Sequence, residues 1–175
     1  MRSGAQVGDL VGVTNYVGYA ATGLGALSYN LEGYHMTKVG HQRPDPQIEL
    51  GQRLRQLGIH SMNDISDGLG SELNEIASAS NVSIVIEEKA IPLHEETYEL
   101  ARYLQTNPVD YALYGGEDFQ LVFTAPKSLL PKLENLAGIT IIGEVLSGPS
   151  RVQMVTPDKT IKTIEAKGYN HFHES

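Results

Sequence analysis

The sequence predicts an α/β fold of the α+β type, a mixed β-sheet flanked by helices. Three observations predict it. Short apolar or alternating runs such as "VSIVIEE", "ITIIGEVL" and "RVQMVTP" have the length and β-branched content of strands. Other stretches repeat apolar residues at helical spacing, as Leu69, Leu73, Ile76 and Ala77 do. The two kinds of run interleave along the chain with no repeat, low-complexity tract or linker between them, so residues 1–175 are expected to form one domain.

The elements follow in order. "DLVGVT" (9–14) is a strand that begins almost at once. Residues 15–33 read as a turn and then a helix with Ala21, Leu24, Leu27 and Leu31 on its apolar stripe. Pro44 and Pro46 in "HQRPDPQ" forbid a continuous helix, and Pro46 suits the first turn of the next one, which carries Ile48, Leu50, Leu54 and Leu57. Met62–Ser66 is a short strand, with a helix starting near Gly68. A buried strand over 82–88 and a polar helix around 94–105 come next. Gly115 and Gly116 then break the chain before Phe119, Leu121 and Phe123 alternate as a strand. Residues 127–136 form a short helix interrupted or begun at Pro131. Three strands close the chain (139–146, 151–157 and 160–166), the last two joined by a turn at Asp158.

Composition narrows the function. A 175-residue chain with 41% hydrophobic and 19% charged residues can bury a sizeable core. A net charge of −8 argues against a nucleic-acid partner, and an anionic ligand would come with Mg²⁺ to neutralise both sides. The absence of cysteine excludes a disulfide, a thiol nucleophile and a Cys-based zinc site. With no signal-peptide core and no apolar run long enough for a bilayer, the expected place is cytoplasmic, away from membranes. A chain that enters a strand without lead-in is expected to be part of a longer protein.

Four stretches are candidates for chemistry. In "MNDISDGLGSELNEIA" (62–77), strand alternation puts Asp64 and Ser66 on one face and Ile65 in the core, with Asp67 at the strand-to-helix corner. Two carboxylates and a hydroxyl there can hold a hard cation or a phosphate–metal complex. Equally, Asp67 can cap the helix, a role that stabilises by about 1 kcal/mol, though no cap needs Asp64. In "YGGEDF", paired glycines let backbone approach a ligand that Glu117 faces, or they form a plain turn with solvated acids. "GYAATGLG" (18–25) could cradle phosphate but is neither G-x-G-x-x-G nor a P-loop, and Gly23 and Gly25 also suit tight helix packing. In the tail "KGYNHFHES", Tyr169, His171 and Phe172 can pack or stack on a flat ligand, while His171 and His173 lack a partner at metal-ligand spacing. His35, His41, His60 and His94 are scattered, and neither H-E-x-x-H nor G-x-S-x-G occurs, which argues against a zinc hydrolase or a Ser-His-Asp enzyme.

Taken together, "RSGAQVGDLVGVT", "NDISDGLGSELNEIA", "YGGEDFQLVFT" and "GYNHF" occur in an order and spacing that resemble the C-terminal half of thiamine-monophosphate kinase. That family is related to AIR synthase, selenophosphate synthetase and a hydrogenase-maturation protein. The resemblance implies ATP-dependent phosphorylation of thiamine monophosphate to thiamine diphosphate. Carried over by motif, Asp64 and Asp67 would bind Mg²⁺, Ser66 would touch ATP, Arg2 the nucleotide phosphates, and Glu117 and Tyr169 the thiamine moiety. A thiazolium ring is a permanent cation suited to a carboxylate and an aromatic face. The attacking group is a phosphate oxygen with a second pKa of about 6, so no strong base is required and no catalytic side chain is nominated. Positioning and charge neutralisation would supply the catalysis.

The family's N-terminal half, which carries much of the ATP site and the homodimer surface, has no counterpart here, so the chain alone is expected to be inactive. Two positions depart from the family pattern: Asn15 replaces a glycine, and Tyr19 stands where an aspartate is usual. The alternatives are a sister enzyme that uses ATP to activate a carbonyl or selenide, and a non-catalytic domain that retains the fold.

Overall fold

A computed structural model of the protein describes residues 1–166. The chain runs β1 (Leu10–Thr14), α1 (Tyr19–Ser28), α2 (His35–Gln42), α3 (Ile48–Leu57), β2 (Ser61–Asp64), α4 (Leu69–Ser80) and β3 (Ser83–Glu87). It continues through α5 (Glu95–Leu104), α6 (Pro108–Tyr114), β4 (Leu121–Ala125), α7 (Leu130–Glu134), β5 (Ile139–Leu146), β6 (Arg151–Val155) and β7 (Ile161–Ile164). The seven strands form one sheet in the order β2-β4-β1-β5-β3-β6-β7. Every neighbouring pair is antiparallel except β3 and β6, so the sheet is mixed, as expected.

Strand alternation divides the apolar residues between two cores. On β4, Val122 joins a large cluster with Val11, Val13, Leu69, Leu73, Ile76 and Leu113, beneath α4 and α6. Its neighbour Phe123 points the other way, into a smaller cluster with Leu54 of α3 and Leu133 of α7. A register shift between β1 and β5 at Val11 and Gly12 changes the phase of β5. Before it Ile139 and Ile141 serve the small core, and beyond it Ile142 and Val145 serve the large one.

Several expected boundaries move, each for a local reason. The first helix ends at Ser28, because Asn30 and Tyr34 take positive φ (50° and 54°) and a separate helix, α2, begins at His35. The expected stripe of Ala21, Leu24 and Leu27 is only half-buried, whereas Ala20, Thr22, Gly23 and Ala26 are buried, since α1 packs on α2. Pro46 lies just ahead of α3 rather than in its first turn. Phe119 has φ 50° and precedes the strand it was expected to start. Helix α6 was not anticipated, yet Pro108 opens it and the Asn107 side chain caps the Val109 N–H at 3.2 Å. Among the described residues, no helix is long and apolar enough to cross a membrane.

Candidate functional site

The two acidic motifs lie some fifty residues apart in the chain and side by side in space, because β2 and β4 are sheet neighbours that pair Asp64 with Leu121. The pairing continues past both strand ends. Ile65 N–H donates to Gln120 O at 2.7 Å, Phe119 N–H to Ile65 O at 3.0 Å, and Glu117 N–H to Ser66 O at 2.8 Å. Gly116 makes this approach possible, since a Cβ there would lie 2.5 Å from Ser66 O. The laced loops form one wall of a cleft of about 190 Å³, lined by Ser66, Asp67, Gly116 and Glu117. The rest of the lining is Ala20, Ala21 and Leu24 of α1 with His41 of α2.

Asp118 sits at the centre of the second loop. It is 5% exposed, and its carboxylate accepts N–H bonds from Gly18 at 2.5 Å and Ala20 at 2.8 Å. It therefore caps α1, which has no local side-chain cap. Burial pushes the carboxyl up to about 6, against the opposing pull of the N–H groups of Ala20, Gly18 and Tyr19. The flanking Glu117 and Phe119 both hold positive φ, 65° and 50°, a conformation that costs about 1 kcal/mol or more at each. The anchored Asp118 and the ladder to β2 hold them there, and Glu117 is left exposed at the cleft.

Glu72, in the first turn of α4, plays the matching part beneath the first loop. Though only 2% exposed, it accepts the Ser66 hydroxyl at 3.2 Å, the Asp67 N–H at 3.4 Å and the Asn63 amide. Burial raises its pKa, the Asp67 N–H opposes that rise, and the nearby Glu75 charge adds to it. Arg2 pairs with Glu75 at 2.8 Å. The N-terminal segment is fastened there, with Met62 N–H donating to Met1 O at 3.0 Å and the Gly4 and Ala5 N–H groups donating to Ser80 Oγ. Arg2 is thus held against α4 and does not line the cleft.

The residues expected to converge are divided. Ser66, Asp67 and Glu117 share the cleft, while Asp64 borders a neighbouring apolar depression with Ile48, Met62, Phe119 and Leu121. The alternation that placed Asp64 and Ser66 on one face stops with β2 at Asp64, and the Ser66 hydroxyl turns toward Glu72 instead. The capping role for Asp67 also gives way: the N-cap of α4 is Gly68 (φ 92°), with no side-chain cap bond. Tyr169 lies outside the described residues. Tyr19, one of the two departures, stacks on Tyr16 and meets His94 edge-on at 5.3 Å, away from the cleft lining. In "GYAATGLG" the packing reading holds for Gly23, where a Cβ would lie 2.1 Å from Thr37 O.

Metal-binding potential follows from the donors present. Among the described residues no group of three or more His, Asp or Glu could enclose an ion. The carboxylates of Asp64 and Asp67 are exposed and have no hydrogen-bond or ion-pair partner there. Such free carboxylates suit Mg²⁺ arriving with phosphate oxygens and water rather than a resident protein cage.

Three residues of the site escaped sequence reasoning. Glu72 had a signal, since it interrupts the apolar stripe of Leu69, Leu73 and Ile76 on their own face. Asp118 had none, because its partners lie 98 and 100 residues away. His41 was one of several scattered histidines.

The family model of the C-terminal domain of AIR synthase related proteins matches residues 6–155. The thiamine-monophosphate kinase of Bacillus subtilis strain 168 is 36% identical over 183 residues, spanning 98% of this chain and 55% of that protein. The structure of AaThiL complexed with AMPPCP and TMP superposes with a TM-score of 0.81 at 35% identity, covering 98% of this chain and 53% of that one. The hydrogenase maturation protein HypE of E. coli shares the fold alone, with a TM-score of 0.78 at 18% identity over 99% of this chain and 53% of that one. The chain spans about half the length of the curated relatives it matches.

Proposed function

The chain belongs to the family of AIR synthase related C-terminal domains, and from that premise we propose that it is the C-terminal half of a thiamine-monophosphate kinase. The activity is phosphoryl transfer from ATP to thiamine monophosphate, giving thiamine diphosphate. One observation carries the reading: the β2–β4 pairing delivers Ser66, Asp67, Gly116 and Glu117 to one cleft.

Each side chain then has a task its chemistry suits. Glu117, exposed and unpaired among the described residues, faces the thiazolium cation. Tyr169 adds an aromatic face to that cation. Asp64 and Asp67 are the residues that would hold Mg²⁺, and Glu72 fixes the Ser66 loop between them. Mg²⁺, when bound, neutralises the phosphate charge that separates the two substrates. Ser66 touches ATP, and Arg2, paired with Glu75 outside the cleft lining, would meet nucleotide phosphates that extend beyond the cleft. The acceptor is already an anionic oxygen, so the side chains position and screen rather than abstract a proton.

A cleft of about 190 Å³ is smaller than the roughly 300–1,000 Å³ of a complete small-molecule site. That size is in keeping with a site completed by an N-terminal half, which would carry the rest of the ATP site and the homodimer contact. The setting is cytoplasmic, without nucleic acid or membrane.

Calorimetry with thiamine diphosphate and Mg²⁺ tests the proposal. Binding should require the metal and weaken in Glu117→Gln, and turnover should appear only when the N-terminal half of a relative is supplied. No metal-dependent binding of thiamine diphosphate with that half present would overturn it.

A further inference from the structure

We propose that His41 is a phosphate-contacting residue of the cleft, donating an imidazole N–H to the phosphoryl group of the ligand whose cation Glu117 holds. The inference rests on the reading of the cleft just given. It begins with the crossing of α1 and α2. At Gly23 a Cβ would lie 2.1 Å from Thr37 O and 2.9 Å from the His41 Cβ, so the two helices touch backbone to backbone. That contact holds His41, in the last turn of α2, in the same cleft lining as Asp67 and Glu117.

Among the lining side chains, His41 alone can donate a free hydrogen bond to an anion. The Asp67 carboxylate would meet a phosphate only through Mg²⁺, Glu117 is committed to the cation, and Ala20, Ala21, Leu24 and Gly116 offer no polar side chain. The Ser66 hydroxyl already donates to Glu72. The N–H groups at the start of α1, which could otherwise cradle a phosphate, are taken by Asp118. His41 is half-buried, and its side chain has no hydrogen-bond or ion-pair partner among the described residues. It is the one lining side chain there with an N–H free to donate. A ligand that is cationic at one end and phosphorylated at the other needs both a carboxylate and a donor, and the lining supplies Glu117 and His41.

The test compares affinity for thiamine diphosphate and for unphosphorylated thiamine, both with Mg²⁺, by calorimetry on the full chain and its variants. His41→Ala should weaken thiamine diphosphate about tenfold and leave thiamine within about twofold. His41→Gln, which keeps an N–H donor, should recover part of the loss. Glu117→Gln should weaken both ligands, because both carry the cation. If His41→Ala weakens both ligands alike, or neither, while Glu117→Gln behaves as stated, the role of His41 is overturned and the cleft reading stands. If Glu117→Gln changes neither affinity, the cleft reading falls and this inference falls with it.

Discussion

The starts of α1 and α4 both lie at the cleft and are finished in opposite ways. At α1 the free N–H groups are taken by Asp118, a buried carboxylate from a distant loop. At α4 no side chain caps the helix, and Asp67, placed where a cap could form, is left exposed beside Ser66 and Glu117. A third start, that of α2, follows α1: Glu96 of α5 accepts the Met36 and Thr37 N–H groups and the Thr37 hydroxyl. Carboxylates thus serve as internal counterparts at α1 and α2, and one is kept free at the start of α4. The protein separates its structural acids from those available to a ligand by burial rather than by residue type.

Removing the seal at α1 breaks this contrast most directly. Asp118→Ala leaves buried N–H groups unpaired and frees the strained residues on either side, so urea denaturation at neutral pH should show a loss of about 3 kcal/mol. A loss below about 1 kcal/mol would mean that the cap does not hold the loop.

The pH dependence of the two long-range caps sharpens the contrast, because their signs are opposite. The Asp118 carboxyl lies at about 6 in the folded protein against an ordinary 3.8, so the folded state keeps its proton to higher pH than the unfolded chain does. Its contribution is therefore full below about pH 4 and is lost as pH rises through about 6, amounting to up to about 3 kcal/mol. For Glu96, burial acts to raise the pKa, but the Thr37 hydroxyl and the Thr37 and Met36 N–H groups together draw it below the usual range. Its contribution is present above the unfolded pKa and is lost as pH falls through the lowered one. Stability curves from pH 3 to 8 should flatten on the alkaline side of pH 4 in Asp118→Asn, and lose part of their acid fall in Glu96→Gln.

Gly116→Ala should cost about 2 kcal/mol, since the new methyl would meet Ser66 O and separate the two loops; thermal unfolding would read the effect. The smallest effect is the most diagnostic. Asp67→Ala should change stability by less than about 0.5 kcal/mol, where a true cap would cost about 1 kcal/mol, while abolishing Mg²⁺-dependent ligand binding.

What was legible in the sequence follows from how local each signal is. The strands and α3, α4 and α5 are periodic over their own length, and they stand within a residue or two of where periodicity places them. Helix α1 misled because it packs against α2 through small residues: Ala20, Gly23 and Ala26 are buried while the larger Leu24 and Leu27 are half-exposed. Phe119 fits an alternating pattern, but Asp118 beside it is committed to α1, and that commitment turns the backbone to positive φ before the strand begins. The site residues divide in the same way. Glu117 and Ser66 stand in motifs that could be read directly, whereas the buried carboxylate between Glu117 and Phe119 depends on a contact a hundred residues away. No window of sequence contains both partners.

The ladder that runs past the ends of β2 and β4 also bears on motion. Ile65, Glu117 and Phe119 each donate an amide across it, so the two loops open and close as one cooperative unit rather than independently. Hydrogen exchange at these three amides should slow by a common factor when either loop is gripped. A ligand that touches only Glu117 would thereby also quieten the Ser66 loop across the seam.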